Sequence, residues 1–218
     1  MARTPASPLL AETSALLLID YQPRMYYGVE GADRTILASN VMGLAKAASI
    51  LEIPTVLTSI NDEGNGPFTP EIVEAFPDAQ VIERSVPGFD ALADEDVMRA
   101  LKATGRRQVV TSGLWTSMCF SFSALHALRD GFEVFGVMDA AGSESAVAHE
   151  TAIQRMVQAG VVPCTWLQTV VEWMDTWANP KAPALVEEVF RLHNGYFAQH
   201  PSRAPRPERG IASTHVRR

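Results

Sequence analysis

The chain is poor in cysteine and has no long hydrophobic segment. Its 218 residues include two cysteines, Cys119 and Cys164, which lie far apart and form no Cys-x-x-Cys pair. A disulfide framework and a cysteine zinc site are therefore not expected, and a reducing, cytoplasmic compartment is the simplest expectation. No apolar run reaches the roughly 18 residues that a membrane span needs, so we expect no membrane partner.

Several cofactor-binding and catalytic motifs are also missing. The sequence contains no GxGxxG, no GxxxxGK[ST], no GxSxG, no HExxH and no His-x-His. These absences argue against dinucleotide and P-loop nucleotide binding, against a serine nucleophile elbow and against a metal site. We therefore predict no cofactor and no metal. A formal charge of −7 argues against a general nucleic-acid binder.

Strand and helix patterns alternate along the chain. Apolar runs predict strands at 14–20, 54–59, 80–83, 108–112, 132–138 and 161–166. Helical periodicity marks 35–51, 94–104, 120–129, 145–159, 168–177 and 183–196. This alternation predicts an α/β fold whose parallel sheet is covered by helices on both faces.

Two parts of the chain stand apart from this alternation. Residues 60–79 form a long loop rich in Asn, Gly and Pro, and loops of that length are often functional. Residues 199–218 are rich in Pro and Arg, whereas residues 1–198 are predicted to be a single domain. The tail is either a loosely packed arm or an arm that lies over a neighbouring subunit.

Reactive side chains lie at the ends of three of the predicted strands. Asp20 ends the first strand, Glu83 ends the third and is followed by Arg84, and Cys119 follows the fourth at the start of a helix. Parallel strands end at one edge of a sheet, so these groups can converge. A cation and a helix N-terminus favour a thiolate, and a carboxylate can take the thiol proton and later activate water. Three alternatives remain open: an inert buried cysteine, an aspartate that caps a turn, and a solvated Glu83–Arg84 pair.

The residues around Cys119 resemble a known family. The matching segments are Leu16–Asp20 with Tyr21-Gln22, Thr58-Ser59, Asn65-Gly66-Pro67, Ala100–Gly105, Gly113-x-x-Thr116-x-x-Cys119, Gly131–Phe135 and Asp139-Ala140. Together they resemble the isochorismatase-like cysteine hydrolases, in particular their YcaC-type branch, over about residues 14–170. The resemblance implies a three-layer α/β/α fold with a six-stranded parallel sheet in the order 3-2-1-4-5-6.

The resemblance also implies roles for individual residues. Cys119 corresponds to the nucleophile and Asp20 to the general base. The peptide bond just before Thr116 corresponds to a cis bond that turns backbone N–H groups near Met118 and Cys119 into an oxyanion hole. Trp115, Asn61 and Phe68 are predicted, with Thr116 and Met118, to line the substrate pocket.

One position departs from the family pattern. The family carries a lysine after the third strand, but this chain has Val81-Ile82-Glu83-Arg84-Ser85. Arg84 is the predicted replacement, as a fixed cation that cannot exchange a proton as lysine does. A shift of one residue would instead put Glu83 there, and a second acid would raise the pKa of the thiol and weaken the nucleophile.

These patterns predict a metal-independent cysteine hydrolase that acts on a small amide or related C–N bond through a thioester on Cys119. One alternative is a non-catalytic small-molecule-binding or assembly protein on the same fold, and another is a redox-sensing thiol protein. A homo-oligomer is expected, and the resemblance implies an octamer or a smaller even assembly. The expected subunit contacts are the apolar C-terminal residues Trp173, Met174, Trp177, Leu185, Val189 and Phe190.

Overall fold

Six parallel strands form one sheet in the order β3-β2-β1-β4-β5-β6. The structure is a computed structural model that describes residues 8–85 and 87–199. The strands are β1 (Ser14–Ile19), β2 (Thr55–Ser59), β3 (Val81–Glu83), β4 (Gln108–Gly113), β5 (Glu133–Val137) and β6 (Val162–Cys164). The predicted strand order is confirmed. The two central strands, β1 and β4, are buried on both faces, which explains their nearly continuous apolar sequences.

Helices cover both faces of this sheet. They are α1 (Pro23–Tyr27), α2 (Arg34–Ile50), α3 (Asp62–Asn65), α4 (Pro70–Glu74), α5 (Glu95–Ala103), α6 (Ser121–Arg129), α7 (Ala146–Ala159), α8 (Trp166–Met174), α9 (Ala182–Leu185), α10 (Arg191–His193) and α11 (Gly195–Gln199). Helices α2 and α8 pack with Leu16 and Leu18 on one face. Helices α5 and α6 pack with Leu17 and Ile19 on the other. Alternate residues of β1 thus face opposite layers, which gives the three-layer architecture.

Two helix predictions differ from the structure. The helix predicted at 120–129 is preceded by a π-helical turn, Thr116–Phe120, so that Cys119 lies inside that turn. The helix predicted at 183–196 is divided into α9, a second π-helical turn at Val186–Phe190, α10 and α11. Asn194 has an extended backbone, which ends α10, and its side chain accepts a hydrogen bond from the N–H of Tyr196.

The apolar C-terminal residues pack mainly inside their own chain. Trp173, Met174, Leu185, Val189 and Phe190 are buried in the same core as β1 and α2. Of the six residues predicted to be subunit contacts, Trp177 alone is exposed, at 60%. The prediction was wrong for the other five because α8 and α9 fold back onto the sheet face that α2 covers.

Two further findings concern the described residues alone. None of their helices is long and apolar enough to cross a bilayer. The tail predicted at 199–218 lies outside them, apart from Gln199, so the domain boundary at 198 stays a prediction.

Candidate active site

The ends of three strands bring Asp20, Arg84 and Cys119 together. Asp20 directly follows β1, has a left-handed backbone (φ 59°) and donates its N–H to the carbonyl of Thr58 at 2.9 Å. Aspartate tolerates this conformation better than most residues, and here it turns the chain off the strand end. Arg84 directly follows β3, and its N–H donates to the carbonyl of Ser59 at 2.9 Å. The predicted convergence at the carboxyl edge of the sheet is therefore present.

Arg84 links the carboxylate to the thiol. Its Nη1 donates to Oδ1 of Asp20 at 2.7 Å, and its Nη2 donates to Oδ2 at 2.8 Å. Both side chains are fully buried. The same Nη2 lies 4.0 Å from Sγ of Cys119, and Nη1 lies 3.3 Å from Oγ1 of Thr58. A bidentate pair of this kind fixes the orientation of both partners.

Glu83 points away from this cluster. It is exposed, and its Oε1 accepts a hydrogen bond from the N–H of Asp62, the first residue of α3. Arg84 therefore supplies the cation beside Cys119, and the alternative register with Glu83 beside the thiol is excluded.

Cys119 lies in an environment that favours the protonated thiol. It is 3% exposed, and burial raises its pKa well above the usual value, helped by the neighbouring Asp20 carboxylate. Arg84 and the backbone N–H of Cys119 act in the opposite direction but do not outweigh these effects. The cation beside Cys119 therefore does not make the thiolate the favoured form, because desolvation of a buried thiol exceeds the attraction of a cation that is already paired. The thiol is instead hydrogen-bonded to Asp20.

Asp20 has a raised affinity for protons as well. Burial raises the pKa of its carboxyl above the usual 3.8, although Arg84 and the hydrogen bond with Cys119 oppose that shift. A carboxylate of raised pKa in contact with a thiol is suited to accept the thiol proton. Asp20 and Cys119 therefore titrate as a coupled pair beside a fixed positive charge, and burial raises the pKa of both.

The π-helical turn determines the backbone around Cys119. The cis peptide bond is Leu114–Trp115, one bond earlier than predicted. Neither bond precedes a proline, so the sequence carries no signal that shows which of the two is cis. The N–H of Thr116 donates to the carbonyl of Gly142 at 2.8 Å, and its hydroxyl pairs with Nδ1 of His149 at 2.8 Å. These two contacts attach the turn to the segment after β5 and to α7.

Met118 does not offer a free donor in this arrangement. Its N–H donates to the carbonyl of Trp115 at 3.0 Å, within the turn itself. The N–H of Cys119 lies beside its own sulfur and lowers the pKa of that thiol. Of the two N–H groups predicted to hold an oxyanion, that of Cys119 is the better placed.

Trp115 joins the turn to α1. Its Nε1 donates to the carbonyl of Met25 at 2.7 Å, and its ring lies against Gly28, where an added Cβ would be 2.0 Å from Cζ2. The ring is partly buried and contacts the apolar core. The close approach explains why a glycine, with no side chain, stands at position 28.

Asn61 and Phe68 have other partners than the thiol. Phe68 is buried and makes an edge-on contact with the ring of Tyr21, with centroids 6.1 Å apart. Asn61 is exposed and caps α3, where its Oδ1 accepts a hydrogen bond from the N–H of Gly64 at 3.2 Å. Their contacts maintain the core and the loop, so a role in the pocket stays a prediction for both.

Two supporting residues were missed as site residues by sequence reasoning. Thr58 binds Arg84, and its backbone carbonyl receives the N–H of Asp20. Gln22 is fully buried and ties down the loop after β2, with Nε2 donating to the carbonyl of Gly66 at 2.7 Å and Oε1 accepting from the N–H of Ile60 at 3.1 Å. Their positions, at the end of a strand and two residues after Asp20, were the available signals.

The groups of this site are suited to nucleophilic and acid–base chemistry. Both oxygens of Asp20 are bound by Arg84, and among residues 8–85 and 87–199 no group of three or more His, Cys, Asp or Glu side chains could hold a metal ion. A thiol, a base that contacts it and a fixed cation are the components of a cysteine nucleophile.

Comparisons with known proteins agree with this fold. Residues 14–168 match the Isochorismatase domain family. The chain is 36% identical over 168 residues to the probable hydrolase YcaC of Escherichia coli K12, which covers 76% of this chain and 80% of that protein. It is 31% identical to isochorismatase domain-containing protein 2 of Danio rerio over 70% of this chain and 75% of that protein.

Solved structures show the same relationship. The crystal structure of E. coli YcaC, described as an octameric hydrolase of unknown specificity, superposes with a TM-score of 0.85 at 34% identity and covers 90% of this chain and 95% of that chain. YcaC from Pseudomonas aeruginosa, solved with hexane-2,5-diol and covalent acrylamide, gives a TM-score of 0.83 at 33% identity over 88% of this chain and 94% of that chain. The chain therefore belongs to the isochorismatase-like hydrolase family.

Proposed function

We propose that the protein is a metal-independent cysteine hydrolase that cleaves a small amide or a related C–N bond. The observation that carries the proposal is the position of Arg84, which binds both oxygens of Asp20 and lies 4.0 Å from the sulfur of Cys119. A thiol, its base and a fixed cation are thus held in one buried cluster.

Acylation begins with proton transfer from Cys119 to Asp20. The thiol is protonated at rest because its pKa is raised, and Asp20, which contacts it, accepts the proton as Sγ attacks the substrate carbonyl. The N–H of Cys119 stabilises the oxyanion that forms. Donors that are already oriented toward a developing charge are worth about 3 kcal/mol each in comparable sites.

Release of the two products uses the same carboxyl group. Asp20 returns its proton to the leaving nitrogen when the C–N bond breaks, which leaves a thioester on Cys119 and an ionised Asp20. Asp20 then takes a proton from water, which attacks the thioester; the C–S bond breaks, the acid is released, and Asp20 returns the proton to the departing thiolate of Cys119. Arg84 keeps its charge throughout, because a guanidinium does not deprotonate in proteins.

The relatives support two further parts of the proposal. E. coli YcaC is an octameric hydrolase, and we propose that this chain also forms a homo-oligomer. The P. aeruginosa YcaC structure contains covalent acrylamide, a small alkylating molecule, which supports a site that admits a molecule of that size here.

Ammonia release from a panel of small primary amides tests the proposal. The protein should release ammonia from at least one of them, Cys119→Ala should release none, and Cys164→Ala should match the unchanged protein. Treatment with a chelator should leave the rate unchanged. Selective alkylation of Cys119 without any turnover would favour the binding-protein alternative instead, and turnover that survives in Cys119→Ala would refute the thioester route.

A further inference from the structure

Arg84 has a second donor edge that the ion pair with Asp20 does not use. The Nη1 and Nη2 atoms are occupied by the two oxygens of Asp20. The Nε atom is buried and has no hydrogen-bond partner among the described residues. Buried donors without a partner are uncommon, and each one calls for a group that fills its place.

The geometry of a guanidinium places this second edge beside the thiol. The planar group has one two-donor edge made by Nη1 and Nη2 and another made by Nε and one terminal nitrogen. Nη2, whose first hydrogen is bound by Asp20, is the terminal nitrogen that lies 4.0 Å from Sγ of Cys119. An acceptor bound at Nε and Nη2 would therefore lie close to the carbon that Sγ attacks.

The charges of the site favour an anionic acceptor. While the thiol proton resides on Asp20 and the sulfur is bonded to carbon, the negative charge of the Asp20–Cys119 pair has moved to the substrate oxyanion, which breaks the ion pair that balanced Arg84 in the resting site. An unpaired buried cation is costly, and a substrate carboxylate would supply the missing charge. A carboxylate also matches the two parallel N–H groups of such an edge, which a lysine ammonium cannot provide.

We infer that the Nε–Nη2 edge of Arg84 binds a carboxylate carried by the substrate next to the scissile carbonyl. This inference rests on the proposed function and narrows it: the substrates are small amides that bear a carboxylate one or two carbons from the bond that is cleaved.

Two alkylating reagents of equal shape test this inference. Iodoacetate and iodoacetamide differ in one group, a carboxylate or an amide, and both react by forming an Sγ–C bond and releasing iodide while the thiol proton passes to Asp20. The measured quantity is the rate of Cys119 alkylation by iodoacetate divided by the rate with iodoacetamide. Mass spectrometry monitors both reactions. The ratio in the unchanged protein should exceed that in Arg84→Lys by about tenfold, because lysine keeps the charge but lacks the two parallel N–H donors of the guanidinium.

The ratio separates this inference from the proposed function. Because iodoacetamide is the denominator, a general change in thiol reactivity cancels. Equal ratios in the two proteins, with Cys119 still labelled selectively by iodoacetamide, would overturn the carboxylate site and leave the hydrolase proposal intact. Failure of Cys119 to react selectively with either reagent would count against both.

A competition experiment on the unchanged protein avoids any folding defect of the variant. Malonamate and malonamide are a matched pair in which one carboxylate replaces one amide. At constant ionic strength, malonamate should slow the labelling of Cys119 by iodoacetamide, and malonamide should do so at least tenfold more weakly. Equal protection by both compounds, or protection by neither, contradicts the inference.

Discussion

Arg84 binds Asp20 through two parallel hydrogen bonds of 2.7 and 2.8 Å, and both side chains are fully buried. The pair is formed by residues that directly follow strands β3 and β1, which are separated in the sheet by β2. The fold of the sheet therefore assembles the charged part of the site before any ligand is present.

Removing one member of this pair should destabilise the protein strongly. Arg84→Met leaves the Asp20 carboxylate buried without a counter-charge, and we expect a loss of about 3–5 kcal/mol in the free energy of unfolding. Urea denaturation measures it. The control Arg99→Ala removes the exposed ion pair with Asp96 and should cost less than about 1 kcal/mol. Equal losses in the two variants would mean that the buried pair does not contribute in this way.

The pH dependence of Cys119 alkylation should follow Asp20. The reactive form holds one proton on the Asp20–Cys119 pair, so the iodoacetamide rate should be nearly constant around neutral pH. It should fall on acidification once Asp20 binds a second proton, at a pH above the usual aspartate value of 3.8 because burial raises this pKa. In Asp20→Asn the constant region should disappear, and the rate should rise with pH as the thiol ionises. A constant region retained in that variant would exclude Asp20 as the base.

Alkaline pH should lower the free energy of unfolding, and the buried thiol of Cys164 should account for part of that loss. Burial raises the pKa of its thiol from the usual 9.0 to about 12. Between those values the unfolded chain releases a proton that the folded chain keeps, so stability falls as pH rises, by about 1.4 kcal/mol per pH unit for one such group. Cys164→Ser should remove that part of the slope in urea denaturation between pH 9.5 and 11. An unchanged slope would contradict the burial effect.

Gly28 should tolerate no side chain because of Trp115. An added Cβ would lie 2.0 Å from Cζ2 of that ring, whereas an added Cβ at Gly195 meets nothing within 4 Å. Gly28→Ala should cost about 1–3 kcal/mol of unfolding free energy and slow the alkylation of Cys119, because the displaced Trp115 belongs to the turn that holds the thiol. Gly195→Ala should leave both measurements near those of the unchanged protein.

The sequence predicts the sheet and the positions of Asp20 and Cys119 well, for a physical reason. Buried parallel strands have nearly continuous apolar sequences, and the residue after such a strand lies at a common edge. The ends of β1 and β4 can therefore be located from the sequence. The end of β3 cannot be located to one residue, because a strand of three residues has too short a pattern to decide which of Glu83 and Arg84 faces the thiol.

Other features depend on contacts between distant segments. The burial that raises the pKa of Cys119 arises from packing in the core on the α5–α6 face of the sheet. The sequence shows only the nearby groups that favour a thiolate, and it does not show that burial. In the sequence, Asn61 and Phe68 are predicted pocket residues in the loop at 60–79. In the structure, Asn61 caps α3 and Phe68 packs in the core. Trp173 and Phe190 look like surface residues of an oligomer in sequence but are buried within one chain.

In the proposed reaction Cys119 forms a covalent acyl intermediate, and its formation depends on Asp20 and Arg84. Rapid quenching of a single turnover with a carboxylate-bearing amide, followed by intact-mass measurement and peptide mapping, tests it most directly. We predict a transient mass increase equal to the acyl group, located on Cys119, which appears with ammonia, decays to the free protein and is absent in Cys119→Ala and Asp20→Asn. Ammonia release with no adduct at any quench time, or an adduct on a residue other than Cys119, would contradict the account.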